Sequence, residues 1–141
     1  MTIAEIQAEI IEDFSLFDDW DERFQYLIDL GKTLPLIDEQ FKLPENTIKG
    51  CQSNVWLHAE NEQGTLVFTA DSDAIITKGI IALLLRTFSH QTPQAILDAS
   101  TDFIDTIGLK AQLSPTRANG LVSMIKQIKL YALAHQAKNN E

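Results

Sequence analysis

The segment from Ala74 to Phe88 limits the folds open to this chain more than any other. It holds a nearly unbroken apolar run, Gly79-Ile80-Ile81-Ala82-Leu83-Leu84-Leu85. Crossing a bilayer takes about 20 apolar residues, so a run this short reads as a helix surrounded by protein. Ile76, Ile80, Leu83 and Leu84 share one face and other apolar residues lie beyond it, which places this helix at the centre of a core. Asp71 or Asp73 is expected to begin it. A chain of 141 residues that is 45% hydrophobic can bury one such core, so a single domain over 1–141 is predicted.

The rest of the chain has to wrap that helix. Thr2 and Glu5 fit a capping box, and Ile3, Ile6, Ile10 and Phe14 follow at helical spacing, predicting a first amphipathic helix. Asp18 or Asp19 caps a second, with Trp20, Phe24, Leu27 and Ile28 on one stripe and Gly31 expected as the left-handed residue that closes it. The two helices are expected to form a hairpin. From Thr33 to Asn54 the periodicity vanishes and Pro35, Pro44, Asn46 and Gly50 appear, so this reads as an unusually long irregular connection. Val55 to Glu60 and Thr65 to Ala70 alternate around Asn61-Glu62-Gln63-Gly64, predicting an antiparallel hairpin. Thr92-Pro93 opens a short helix through Leu97, Thr101 to Ile107 offers another, and Ser114-Pro115 opens a last one carrying Leu121, Met124, Ile125, Ile128 and Ala132. Lys126 and Lys129 lie in its C-terminal half, where cations suit the helix dipole, and the tail from Lys138 to Glu141 is expected to fray. The fold class is therefore α+β: a small antiparallel sheet packed against helices on one face.

Charge and composition exclude several functions. Twenty acidic against eleven basic residues give a net charge of −9, which opposes nucleic-acid binding by counterion release. The acidic stretch from Glu5 to Glu22 reads as a solvated face rather than a dock for a basic partner. The start, Met1-Thr2-Ile3-Ala4-Glu5, lacks the basic flank and apolar run of a secretory signal, and no membrane segment is expected. With one cysteine no intramolecular disulfide can form, so the cytoplasm is the expected compartment. Cys51, His58, His90 and His135 are too scattered for a structural zinc site, and neither a phosphate-binding glycine loop nor a nucleophile-elbow serine is present.

Cys51 is left as the residue able to carry covalent chemistry. It sits in Lys49-Gly50-Cys51-Gln52-Ser53 at the end of the irregular connection, where a loop admits a bulky partner better than a strand or helix does. Gly50 removes a side chain beside the sulfur. Lys49 would favour the thiolate of a group whose unperturbed pKa is about 8.5. Position alone leaves a buried small hydrophobe as the alternative. Around it, Gln52 and Ser53 would hydrogen-bond the loop or position the sulfur. Arg117 and Lys78 would bind an anion or pair with a neighbouring acid, and Asp73 is read as a helix cap. Trp56 is either core or a contact surface, its large apolar area favouring the core; His58, on the same side, has a structural or surface role.

The run Ile48-Lys49-Gly50-Cys51-Gln52-Ser53-Asn54-Val55-Trp56 resembles the signature of SufE-type sulfur acceptors, in which the cysteine carries a persulfide. Asp71-Ser72-Asp73-Ala74 with Lys78-Gly79, and Leu113-Ser114-Pro115-Thr116-Arg117-Ala118-Asn119-Gly120-Leu121, resemble two further segments of that family in the same order. The resemblance implies a SufE/IscU-like fold and a carrier, not an independent enzyme. Such a carrier takes sulfur onto Cys51 from a cysteine desulfurase (SufS or CsdA-like), speeds that enzyme, and passes sulfur toward an iron-sulfur scaffold such as SufBCD. It implies no cofactor of its own, since pyridoxal phosphate belongs to the desulfurase. A monomer or weak homodimer is expected. Lys49, Gly50, Gln52, Ser53 and Arg117 are the candidate supporting or partner-binding residues, and a loop from about Leu43 to Ser53 is expected to shelter the sulfur until docking. Three rivals remain. A cysteine-nucleophile enzyme would need His58, His90 or His135 near Cys51. In a non-catalytic adaptor Cys51 would only pack, and an iron-sulfur scaffold would need more thiolates than one chain supplies.

Overall fold

The computed structural model of the chain describes residues 1–139. Helix α1 (Ile3–Ser15) starts on the expected capping box: Glu5 N–H donates to Thr2 Oγ1 and Thr2 N–H to the Glu5 carboxylate, both at 3.1 Å. Helix α2 (Trp20–Gly31) is capped by Asp19, which accepts from Glu22 N–H at 2.9 Å. At their junction Phe14 packs on Trp20 and Tyr26, with ring centroids 6.3 and 5.4 Å apart. Both helices pack chiefly on α3 (Ile75–Phe88) rather than on each other.

Helix α3 is the centre of the molecule, as its apolar run requires: Ile80, Ile81, Leu83, Leu84 and Phe88 are buried. Neither Asp71 nor Asp73 caps it. Ala74 holds the cap position without a side-chain bond, because both aspartates are committed elsewhere. Gly31 does not close α2 in a left-handed conformation; it remains in the helix, buried against Gly79. A Cβ on Gly79 would lie 2.3 Å from the Leu27 carbonyl oxygen, and one on Gly31 would lie 3.0 Å from Gly79 N. The two glycines let the α2 and α3 backbones touch.

Strands β1 (Val55–Glu62) and β2 (Thr65–Ser72) pair antiparallel from Val55 opposite Ser72 to Glu62 opposite Thr65. Only Gln63 and Gly64 turn the chain, with φ of 53° and 88°, the left-handed pair that suits the twist of a two-residue hairpin. Val55, Leu57 and Ala59 with Leu66, Phe68 and Ala70 form the buried face. Trp56 therefore falls on the other face and is not core. Its ring is half-buried under Lys42 Nζ, 4.8 Å from the centroid, while His58 stacks on Phe41 at 3.9 Å.

The irregular connection is structured. It contains single 3₁₀ turns at Glu39–Phe41 and Pro44–Asn46 and lies along the sheet edges, where Leu36 bridges to Ala70 and Thr47 to Trp56. Edge carbonyls and amides of the hairpin thus find partners. Helices α4 (Pro93–Asp98), α5 (Asp102–Thr106) and a short α6 (Leu109–Gln112), which the sequence pattern does not announce, lead to α7 (Pro115–Asn139). Leu121, Met124, Ile128 and Ala132 of α7 are buried as expected. Within the expected frayed tail, Lys138 and Asn139 are helical, and Asn140 and Glu141 lie outside the described residues.

Candidate functional site

Two anchors hold the stretch that carries Cys51. On its N-terminal side Ile48 is buried and its N–H donates to the Val55 carbonyl at 2.8 Å. On its C-terminal side Asn54 donates its backbone N–H and side-chain amide to the Asp73 carboxylate at 3.1 and 2.9 Å. Asp73 is thus the clamp of this loop, not a helix cap. Farther back, Tyr131 Oη lies 2.8 Å from Asn46 Oδ1 and 2.9 Å from the Leu57 carbonyl, tying the second 3₁₀ turn to α7. The stretch between the anchors runs from Lys49 to Ser53, shorter than the loop expected from Leu43.

Gly50 does more than clear space beside the sulfur. It has φ of +89°, so the turn needs glycine, and a Cβ there would also push against the rotatable Ser123 Oγ on α7, 2.9 Å away. The next residue brings Sγ to 3.8 Å from the Gly120 carbonyl. Gly120 is buried, and a Cβ on it would come within 3.2 Å of the sulfur. Around Sγ is a pocket of about 10 Å³ lined by Thr77 and Ile80 of α3, Thr116, Arg117, Gly120 and Met124 of α7, and Gln52 and Ser53 of the loop. That is room for about one water-sized atom.

Half-burial in this pocket pushes the Cys51 thiol above its ordinary pKa, because desolvation disfavours the thiolate. Lys49 does not offset this. It is exposed and lines a different groove, with Ile48, Ser123 and Lys126. The tucked sulfur is therefore a thiol in the neutral range, and reactivity has to be gained by exposure. Two outcomes follow. Alkylation of Cys51 by a small reagent is expected to reach half its limiting rate at a higher pH than in the urea-unfolded chain. Gly120→Ala, which crowds the sulfur without straining the helix, is expected to raise the alkylation rate several-fold at neutral pH; an unchanged rate would mean that the pocket does not shelter the thiol.

The other candidates separate clearly. Gln52 and Ser53 line the pocket, as does Arg117, which is exposed and makes no ion pair among the described residues. Lys78 does not line the sulfur pocket: it pairs with Asp71 at 3.6 Å, where Lys42 also binds at 3.1 Å. None of the three histidines lines the pocket. His58 is on the outer sheet face with its Nε2 3.2 Å from Glu60, His90 is in the turn after α3 with φ of 63°, and burial pushes His135 on α7 below the ordinary imidazole value. Among the described residues no group of three His, Cys, Asp or Glu side chains could hold a metal ion, and no helix is long and apolar enough to cross a membrane.

Thr77, Thr116, Gly120 and Met124 are site residues that residue-by-residue reading missed. Their one signal was the order of the three segments, which the fold now brings together: the cysteine run, the start of α3 and the start of α7 converge on one sulfur atom.

Residues 8–132 match the model of the SufE family, described as an Fe-S metabolism associated domain. An uncharacterized SufE-like protein of Rhizobium etli is 43% identical over 127 residues, covering 86% of this chain and 85% of the relative. One from Synechocystis is 36% identical over 129 residues, covering 92% and 81%. The SufE-like protein 1, chloroplastic/mitochondrial, of Arabidopsis thaliana is 38% identical over 143 residues, covering 99% of this chain and 38% of that longer protein. The solution structure of a hypothetical protein from Thermus thermophilus shares the fold, with a TM-score of 0.79 at 20% identity over 94% of this chain and 96% of that one.

Proposed function

The chain belongs to the SufE family, whose domain is associated with Fe-S metabolism, and from that premise we propose that it is a sulfur carrier whose cargo rides on Cys51. The observation that carries this reading is the placement of the free thiol. It stands half-buried on a five-residue stretch between two firm anchors, in a pocket with room for about one added atom. A carrier needs both properties, a sulfur that a partner can draw out and a shelter that excludes small thiols afterwards.

The chemistry is thiol exchange. A cysteine desulfurase, SufS or CsdA-like, holds a persulfide formed with its own pyridoxal phosphate. When it docks, the stretch from Lys49 to Ser53 swings out, and exposure removes the desolvation that disfavours the Cys51 thiolate, so the reactive thiolate fraction rises. That thiolate attacks the outer sulfur of the enzyme's persulfide. A new sulfur-sulfur bond forms at Cys51, the old one breaks, and its electron pair leaves with the enzyme's cysteine thiolate. The loaded sulfur then passes toward iron-sulfur assembly on a scaffold such as SufBCD. No cofactor of the carrier's own is needed. A monomer or weak homodimer suffices, and a reducing compartment, the cytoplasm, is where we place it.

The rival readings fit less well. A cysteine-nucleophile enzyme lacks a histidine at the pocket. A scaffold would have to build its ligands from one cysteine. An adaptor, in which Cys51 only packs, gives no use to a free thiol left half-exposed on a loop. Desulfurase turnover tests the proposal: adding this protein is expected to raise steady-state alanine production several-fold, and unchanged turnover at saturating carrier would overturn it.

A further inference from the structure

The basic side chains of this acidic protein are not spread evenly in their engagements. Lys32, Lys42, Lys78, Arg86 and Lys110 pair with carboxylates. Arg23 and Lys129 donate to backbone carbonyls. Lys138 at the end of α7 aside, the cations with no such partner among the described residues are Lys49, Arg117 and Lys126, and all three flank the Cys51 loop.

Lys49 and Lys126 face a common groove on the side of the loop away from the sulfur pocket, about 400 Å³ in volume, with Glu45 as its one acid and Leu130 at its far end. Both lysines are exposed. Along the same side of α7, Val122, Leu130 and Leu133 remain 49%, 47% and 53% exposed, at spacings of three or four residues from Lys126 or from each other, the spacing of one helical face. The groove is thus cationic beside the loop and aliphatic beyond it.

We propose that this groove docks an acidic segment of the sulfur donor, with carboxylates against Lys49 and Lys126 and aliphatic side chains along Leu130 and Leu133. The inference rests on the carrier reading above and names what the carrier recognises. Charge complementarity decides the occupant. With a net charge of −9 the rest of the surface repels an acidic segment, so the groove accepts it in one place and one orientation. The position also couples binding to chemistry. Lys126 is fixed on a long helix, whereas Lys49 lies two residues from the sulfur on the stretch between the anchors. A carboxylate that engages both lysines draws on that stretch and favours the swung-out thiol.

The test uses the full chain and a cysteine desulfurase from the same organism, and reads the carrier concentration that half-saturates sulfur loading. For the double variant Lys49→Glu, Lys126→Glu it is expected to rise about tenfold at low ionic strength, with the difference narrowing in high salt. Lys32→Glu, a remote exposed cation, is expected to match wild type. Both lysines of the groove are solvent-exposed, and the neutral pair Lys49→Gln, Lys126→Gln is expected to fall between. A double variant that half-saturates at the wild-type concentration, or loses only maximal rate, overturns the inference while the carrier reading stands. A wild type that takes up no sulfur overturns both.

Discussion

Gly79→Ala is expected to lower the unfolding free energy by about 3 kcal/mol, near the upper end of overpacking costs, although in an exposed helix interior the same change would stabilise by about 1 kcal/mol. The sign is decided by what the added carbon meets. It would stand 2.3 Å from the Leu27 carbonyl oxygen and 2.7 Å from the carbonyl carbon, and backbone atoms inside a helix cannot rotate aside. Helix α2 has to move away from α3. That motion strips packing from Leu27, Ile80 and their neighbours, all fully or almost fully buried. Because Thr77 and Ile80 of α3 also line the sulfur pocket, the variant is further expected to expose Cys51 faster to alkylation. Urea unfolding monitored by Trp20 and Trp56 fluorescence measures the stability change. A variant as stable as wild type would mean that the two helices separate without cost.

Cys51→Ser is expected to reduce desulfurase stimulation to background while leaving stability within about 1 kcal/mol of wild type, as for substitutions outside a packed core. The two effects part because the side chain is half-buried on a loop, where a smaller oxygen leaves little buried space unfilled, yet a serine hydroxyl cannot take the outer sulfur of a persulfide by thiol exchange. The variant keeps Gly50, Gly120 and the lysine groove, so it is expected to compete with wild type for the desulfurase. Competition with no stimulation separates loss of the acceptor atom from loss of docking. Stimulation retained by the serine variant would make Cys51 a packing residue and favour the adaptor.

How much of this was legible in the sequence depends on which interactions fix each feature. Where the cause is local, the reading held. The Thr2–Glu5 box, the Asp19 cap, the Thr92-Pro93 start and the alternation of β1 and β2 are all written within a few residues of the structure they produce. The apolar run of α3 likewise demanded burial. Where the cause is a partner distant in sequence, local reading failed in identifiable ways. Gly31 looks like a helix terminator, and only the approach of Gly79 reveals it as a contact. Asp73 sits where a cap belongs, but Asn54 claims both of its oxygens. Trp56 has the area of a core residue, yet the pleat assigned the inner face to Val55 and Leu57, and area does not choose between faces.

The candidate site divides the same way. Cys51 stood out because it is the one cysteine in a loop of turn-forming residues, and the family likeness of its flanks gave it a chemistry. Its shelter was not legible. Thr77, Gly120 and Met124 reach the sulfur from helices that begin more than twenty residues downstream, and no periodicity reports that approach. Nor is the direction of the thiol pKa written locally, since Lys49 lies two residues from Cys51 in sequence but lines a different groove.

The most direct measurement is the intact mass of the purified protein after incubation with a cysteine desulfurase and cysteine, wild type beside Cys51→Ser. The carrier account predicts a gain of one or more sulfur atoms on wild type, removed by a thiol reductant, and no gain on the serine variant. Wild type of unchanged mass, in a tube where the desulfurase is shown to be turning over, would contradict it.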